Sequence, residues 1–317
     1  MEKDQVNTAT HEDIGMEVFE SAQKPLSTIA LFWREIKADK KAVVGLIIVA
    51  AIILFSIVAS AVITTEAAIE INLANRREAP SWTADGRSGS GLLLGADDGG
   101  RNMFHLLVVS TRNSLLLGFT VSIIGIFIGV VVGIIAGFYG GHVDNVIMRI
   151  VDTWTMLPGM MFIIALIQLF ANFTMGRFIF LLVLFSWMAR TRLIRSMALQ
   201  QRNLDYVHAS KTLGTPNIII IFREVLPNMV SIISANIVLT LSASIGMETG
   251  LSLLGYGLPI ETPSLGTIIF NATNLTNLQQ RWWMWLPAIV LMFVMMLCIN
   301  FVGQAVSRAA DPRQRSI

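Results

Sequence analysis

Residues 42–63 read AVVGLIIVAAIILFSIVASAVI, from Ala42 to Ile63, without one charged side chain. A helix of that length rises about 33 Å, enough to cross a hydrocarbon core of about 30 Å. The run starts behind a 41-residue polar lead, too late for an ordinary signal peptide, so it is expected to stay in the mature chain. A buried helix of a soluble protein is the competing reading, and composition decides against it. Of 317 residues, 54% are hydrophobic and 14% charged. Soluble domains carry about 25% charged residues. So few charges would leave a water-facing surface poorly covered, and the composition excludes a disordered acidic or basic chain. A single cysteine, Cys298, excludes an intramolecular disulfide and any multi-cysteine metal site within the chain.

Five further runs follow. Residues 115–138 are free of charge, and Gly125, Gly129, Gly133 and Gly137 recur every fourth position. That spacing lays a smooth strip on one helix face, where a neighbouring helix can approach closely in lipid. The third run, 145–171, carries Arg149 and Asp152 near its start and Pro158 inside it. Its first turns are expected at the membrane surface and its apolar part over 153–171. The fourth, 178–189, is short. The fifth, 229–254, holds Glu248 near its far end, and the sixth, 284–306, contains Cys298 and Gly303. The expectation is an all-α polytopic membrane protein with six transmembrane helices. With both ends inside, the segments 1–41, 139–152, 190–228 and 307–317 hold 16 of the 23 Lys and Arg residues. This sidedness agrees with the positive-inside rule. Dropping the fourth run would put 190–228 and its six basic residues outside, which argues for keeping it.

Between the runs, residues 1–26 are expected to form a poorly ordered cytoplasmic tail. Residues 27–41 place Leu31, Phe32, Trp33 and Ile36 among basic residues, a pattern for an amphipathic helix at the inner surface. Residues 64–102 read as an irregular outer loop. Within it Asp97 and Asp98 fit a solvated turn better than a cation-binding pair. Residues 190–228 are the most informative. Leu193, Met197, Leu204 and Val207 are spaced as on a helix, Gly214 and Pro216 stop it, and 217–225 can form a second helix ending before Pro227. Two helices joined at Gly214 make a knob large enough to dock a soluble partner. The organisation that results is a tail over 1–26, then the amphipathic segment, first span and external loop over 27–105. A five-helix core follows over 106–306, with its cytoplasmic loop at 190–228, and a second tail over 307–317.

Several chemistries lack their residues. There is no G-x-x-x-x-G-K-S/T phosphate loop and no H-E-x-x-H, and His11, His105, His142 and His208 are far apart. No serine in a span has a histidine base in a span beside it in sequence. The apolar centres of the six runs lack ionisable groups, which argues against a proton-coupled carrier but leaves sodium coupling through carbonyls open. Glu248 is expected to meet a backbone or basic partner near the outer surface and to hold structure there rather than bind ions.

The segment Tyr206-Val207-His208-Ala209-Ser210-Lys211-Thr212-Leu213-Gly214, followed by Leu226-Pro227-Asn228, resembles the EAA loop of binding-protein-dependent ABC importer permeases, with His208 at the Glu position and Ser210 at the second Ala. Leu94 to Asn102, containing Asp97, Gly100 and Arg101, and then Arg112-Asn113-Ser114-Leu115, resemble blocks of the oligopeptide/dipeptide permease C-type subunits. Ala96 and Asn102 depart from that pattern. Gly137-Phe138-Tyr139-Gly140-Gly141 with Asp144, Arg149, Asp152 and Pro158 is similar to the next block. Glu248 with Leu251 to Gly255 and Pro263-Ser264-Leu265-Gly266 fits another. Asn300 to Gln304, with Gly303, and Asp311-Pro312-Arg313 resemble the closing blocks.

The resemblance, over about residues 26–313, implies a type I ABC importer permease fold in a bacterial cytoplasmic membrane, multi-pass, with both termini cytoplasmic. It implies a subunit without its own ATPase site or bound cofactor. ATP and magnesium sit on two partner ABC ATPases, and a homologous second permease and an extracytoplasmic solute-binding protein complete the complex. Membrane lipid surrounds it, a di- or oligopeptide passes between the two permeases, and no nucleic acid is involved. Tyr206, His208, Ala209, Ser210, Gly214 and Pro227 are the expected ATPase-coupling residues. Asp97, Gly100, Arg101, Asp152, Pro158, Glu248 and Gly303 are the expected structural ones. The same resemblance admits a nickel or glutathione importer, and a reading without it admits an ion-coupled carrier or a membrane scaffold.

Overall fold

A computed structural model of the protein describes residue 37 and residues 39–86, 91–170 and 173–310, with the side chains of 309 and 310 left aside. The expected tail over 1–26, most of the amphipathic segment 27–41 and the block Asp311-Pro312-Arg313 lie outside the described residues.

Among the described residues the regular elements are helical, apart from one isolated bridge between Ala96 and Asn102. Helix α1 (Lys40–Val62) starts at Asp39, whose carboxylate accepts the Lys41 amide at 2.9 Å. Short α2 (Thr65–Ile69) follows. Then comes α3 (Met103–Tyr139), capped by the Asn102 side chain and ended by Gly140 at φ 67°. Helices α4 (Gly141–Thr155) and α5 (Gly159–Leu169) meet at a 77° bend with Pro158 at the joint. Helix α6 (Met175–Arg202) leads into α7 (Asp205–Thr212) and α8 (Asn217–Leu253). Short α9 (Leu265–Ile269) and α10 (Leu275–Gln280) precede α11 (Leu286–Ala310).

Four of these, α1, α3, α8 and α11, are long and apolar enough to cross a membrane, and the bent pair α4–α5 makes a fifth candidate. Helix α6 has 28 residues, about 42 Å of rise, but Arg177, Arg190, Arg192 and Arg195 dilute its apolar character. The third expected span is therefore a broken one. Alone, α5 has 11 residues and rises about 16 Å, half a bilayer core.

Helix α3 is the central post. Its glycine strip faces α6. A Cβ on Gly133 would lie 2.8 Å from Ile194 Cβ and the Thr191 carbonyl, and one on Gly129 would lie 2.6 Å from Arg190 Cβ. Bare backbone is what lets the two helices pack at that distance. Helix α8 packs on α3 and α11, and α11 packs on α1. Gly303 serves the α8–α11 seam, since a Cβ there would meet Leu239 Cδ2 at 2.7 Å. Helix α1 closes the side of the bundle and leaves Ile47, Leu54, Phe55 and Val58 exposed, a surface suited to lipid.

Two helix boundaries at 190–228 differ from the ends of the runs. The helix that carries the fourth run does not stop at Arg190 but continues to Arg202. The second arm is not a separate helix before Pro227 either. It runs into the fifth span through a π-type turn over Ile221–Val225, where the Leu226 amide bonds back to the Ile221 carbonyl. Pro227 brings no N–H and its ring crowds the preceding turn; widening that turn lets the helix pass through the proline.

Candidate functional site

The knob at the Gly214 end of the bundle is assembled from α7 and the start of α8. Val207 is fully buried, together with Phe138, Ile194, Ala198, Ile220 and Val225. Lys211 Nζ lies 4.9 Å above the Phe138 ring. Burial and the neighbouring Arg202 guanidinium hold that ammonium below the ordinary lysine range. The two arms are tied across the turn: Ser210 Oγ donates to Glu224 Oε1 at 2.6 Å. Tyr206 Oη donates to Gln201 Oε1 at 2.5 Å and accepts from Asn228 Nδ2 at 3.3 Å.

The turn itself is a Schellman cap. The Gly214 amide bonds to the Lys211 carbonyl and the Thr215 amide to the Ser210 carbonyl, both at 3.0 Å. Gly214 has φ 82°, a conformation L-residues resist. A Cβ there would meet nothing within 4 Å, so the glycine answers to backbone geometry and not to close approach within this chain. Beside it Leu213 is 85% exposed, and His208, Ala209 and Pro227 are exposed as well. Tyr206 and Ser210 thus fasten the knob, while His208, Ala209, Leu213 and Gly214 form its outward face.

At the opposite end, Asp97 is 2% exposed, so it is not the solvated turn expected of it. Its Oδ1 accepts the amides of Gly99 and Arg101, each at 2.9 Å, and its Oδ2 accepts Arg101 Nε at 2.7 Å. Gly100, at φ 75°, passes against the Asn72 carbonyl where a Cβ has no room. Asp98 points the other way, to Arg77 and to Asn277 Nδ2. Desolvation raises its pKa, but the hydrogen bonds from Arg77 and Asn277 and the charges of Arg77 and Arg281 outweigh it and hold the carboxyl below its ordinary range. No group of three or more metal-ligating side chains occurs among the described residues.

Glu248 is fully buried. Its Oε1 accepts Ser252 Oγ at 2.7 Å and Ser264 Oγ at 2.5 Å, with the Gly266 amide as a further donor. The expected backbone partner is present; the other partners are hydroxyls and not a basic side chain. Asn113 Nδ2 donates to the Pro263 carbonyl at 2.8 Å and the Leu265 amide to Ser114 Oγ at 3.0 Å, so segments 150 residues apart lock around this carboxylate. A cavity of about 350 Å³ lies beside it, lined by Asp97, Arg101, Ser252, Gly257, Thr267 and Asn271. Asp152 pairs with Arg192 at 2.6 Å, which joins α4 to α6. Pro158 and Gly303 stand apart from both ends, at a bend and in a helix seam.

The sequence blocks carry Ser252 and Ser264 alongside Glu248 without giving them a role, and nothing in the sequence singles out Thr240. Serines and threonines are common in apolar helices, and a pairing sixteen residues ahead has no periodic signature.

Residues 129–316 match the family described as binding-protein-dependent transport system inner membrane component, and residues 27–80 match the N-terminal TM domain of oligopeptide transport permease C. The chain is 39% identical over 289 residues to the oligopeptide transport system permease protein OppC of Lactococcus lactis subsp. cremoris, covering 91% of this chain and 96% of that one. It is 31% identical over 301 residues to the dipeptide transport system permease protein DppC of Bacillus subtilis, covering 93% and 89%. It is 32% identical over 224 residues to the inner membrane ABC transporter permease protein YejE of Escherichia coli, covering 70% and 64%.

Proposed function

The chain belongs to the binding-protein-dependent transport system inner membrane component family, and on that footing we propose that it is a membrane subunit of an ATP-driven importer of di- or oligopeptides. The likeness to an oligopeptide permease along nearly the whole of both chains supports the solute. The exposed, Schellman-capped knob supports the mechanism. An apolar tip at Leu213, held at a fixed turn and fastened through Val207, Ser210 and Tyr206 to α6 and α8, can receive a push and pass it to the helices.

In this reading the knob faces the cytoplasm and seats on an ATPase subunit, and both termini are cytoplasmic. ATP and magnesium belong to two partner ATPases. A second permease supplies the other wall of the path, and a solute-binding protein delivers peptide to the end bearing Asp97 and Glu248. Closure of the ATPases moves α7, and the rigid α3–α6 pair carries the movement through the bilayer. Tyr206, His208, Ala209, Ser210, Gly214 and Pro227 keep their assignment as coupling residues, with Leu213 added.

The experiment is ATP hydrolysis by the complete complex reconstituted in proteoliposomes. Binding protein loaded with a peptide is expected to stimulate hydrolysis several-fold. Stimulation by nickel or glutathione and not by peptide would replace the solute while keeping the family.

A further inference from the structure

Arg190 follows the apolar run 178–189 directly in sequence, which suggests a residue at the membrane surface. The structure puts it deeper. Its Nη2 and Nε donate to Thr240 Oγ1 at 3.0 and 3.2 Å, and its Nη1 donates to the Ser186 carbonyl. Thr240 lies midway along the stretch Leu226–Leu253 of α8. Gly129, against Arg190 Cβ, lies ten residues, about 15 Å, above the Tyr139 end of α3. Both markers place the guanidinium near the middle of an apolar layer about 30 Å thick.

No carboxylate of the described residues pairs with it. The next two arginines of α6 differ: Arg192 has Asp152 and Arg195 has Asp144. A cation held at such depth without a counter-charge is expensive, and such groups occur where they face a water-filled cavity or a ligand. Arg190 borders two open cavities, of about 280 and 210 Å³, that share Ala243 between them. Their remaining polar lining is Asn236 and Thr240 in one, and Ser186 and Ser244 in the other. A guanidinium carries five N–H donors. The bonds to Thr240 and Ser186 use three, so two remain for a carboxylate.

We propose that Arg190, held by Thr240, binds the carboxylate of the solute on its way past the bundle. This rests on the peptide reading above, and it deepens that reading: a terminal carboxylate is common to peptides of any sequence, so one fixed cation recognises them all without side-chain pockets.

The test uses the complete transporter in proteoliposomes, with binding protein loaded to saturation with a neutral tripeptide or with its C-terminal amide, so that discrimination by the binding protein drops out. Wild type is expected to import the free acid faster than the amide. In Arg190→Gln the acid-to-amide ratio is expected to fall about tenfold, the scale of one charge-assisted, partly desolvated hydrogen-bond pair. An unchanged ratio overturns the proposal. So does an equal loss of both solutes, the result expected if Arg190 pairs with a carboxylate of the second permease. Should Arg190→Gln not assemble, Thr240→Val decides: its ratio is expected to drop about threefold through the loss of the hydroxyl holding the guanidinium, and an unaltered ratio counts against. Failure of the wild type to import either peptide would instead remove the reading on which the proposal rests.

Discussion

Glu248 shows how much one buried side chain organises. The hydroxyls of Ser252 and Ser264 converge on its Oε1, while Oε2 has no hydrogen-bond partner in the structure. A glutamine keeps an acceptor oxygen for both hydroxyls, whereas a leucine leaves them unsatisfied at about 1–3 kcal/mol each. Thermal unfolding in detergent is therefore expected to move little in Glu248→Gln and to fall by several degrees in Glu248→Leu; equal losses would mean the carboxylate charge, not the acceptor, is what matters. The residue scale is also where sequence told least. Acidity in an apolar run marked Glu248 as unusual, but its partner Ser264 sits beyond a turn and a loop. Gly214 was legible as a stop, yet two reasons for a glycine, positive φ and close approach, look alike in sequence, and only φ 82° with open space around it separates them. The surroundings of Arg190 are not legible in the sequence, because an arginine next to an apolar run reads as the end of that run. Its partner Thr240 stands 50 residues away on α8.

Helices were legible where lipid dictates them. The run at 42–63 and the glycine repeat at 125–137 declare a span and a packing face, because a membrane helix must satisfy its backbone internally and needs small residues for close contact. The repeat does pack, on α6. A valine at Gly137 would drive its Cβ into the Arg195 carbonyl, a backbone group that cannot swing away. Gly137→Val is expected to part α3 from α6 and lower the unfolding temperature, with overpacking on the order of 1–3 kcal/mol. Gly176→Val, where nothing lies within 4 Å, serves as the control and is expected to behave as wild type apart from its helix propensity. Equal behaviour of the two variants would contradict the packing account. The broken α4–α5 pair and the π-type turn before Pro227 were less legible. Both are prolines absorbed by neighbouring turns, and a proline by itself says only that something must give.

For the whole molecule the account joins a lock around Glu248 and Asp97 at one end, a rigid α3–α6 pair and a knob at the other end. The proposed orientation, with the knob in the cytoplasm, rests on charge. A cysteine at Ser88, in a Cys298-free background, is expected to react with an impermeant reagent in intact cells, and one at Gln201 is not; labelling at Gln201 alone would invert the protein in the membrane. The most direct test concerns the knob, through which the proposed mechanism has α7 pass force to the helices. Leu213 is exposed and makes no structural demand within this chain, so Leu213→Asp should leave the bundle intact while spoiling an apolar docking contact. The measurement is ATP hydrolysis by the reconstituted complex with peptide-loaded binding protein, with subunit assembly followed in parallel. The account predicts stimulated hydrolysis in wild type and at least a tenfold loss of stimulation in Leu213→Asp, on the order expected for a buried contact carrying a misplaced charge. Full stimulation and transport in Leu213→Asp would contradict it.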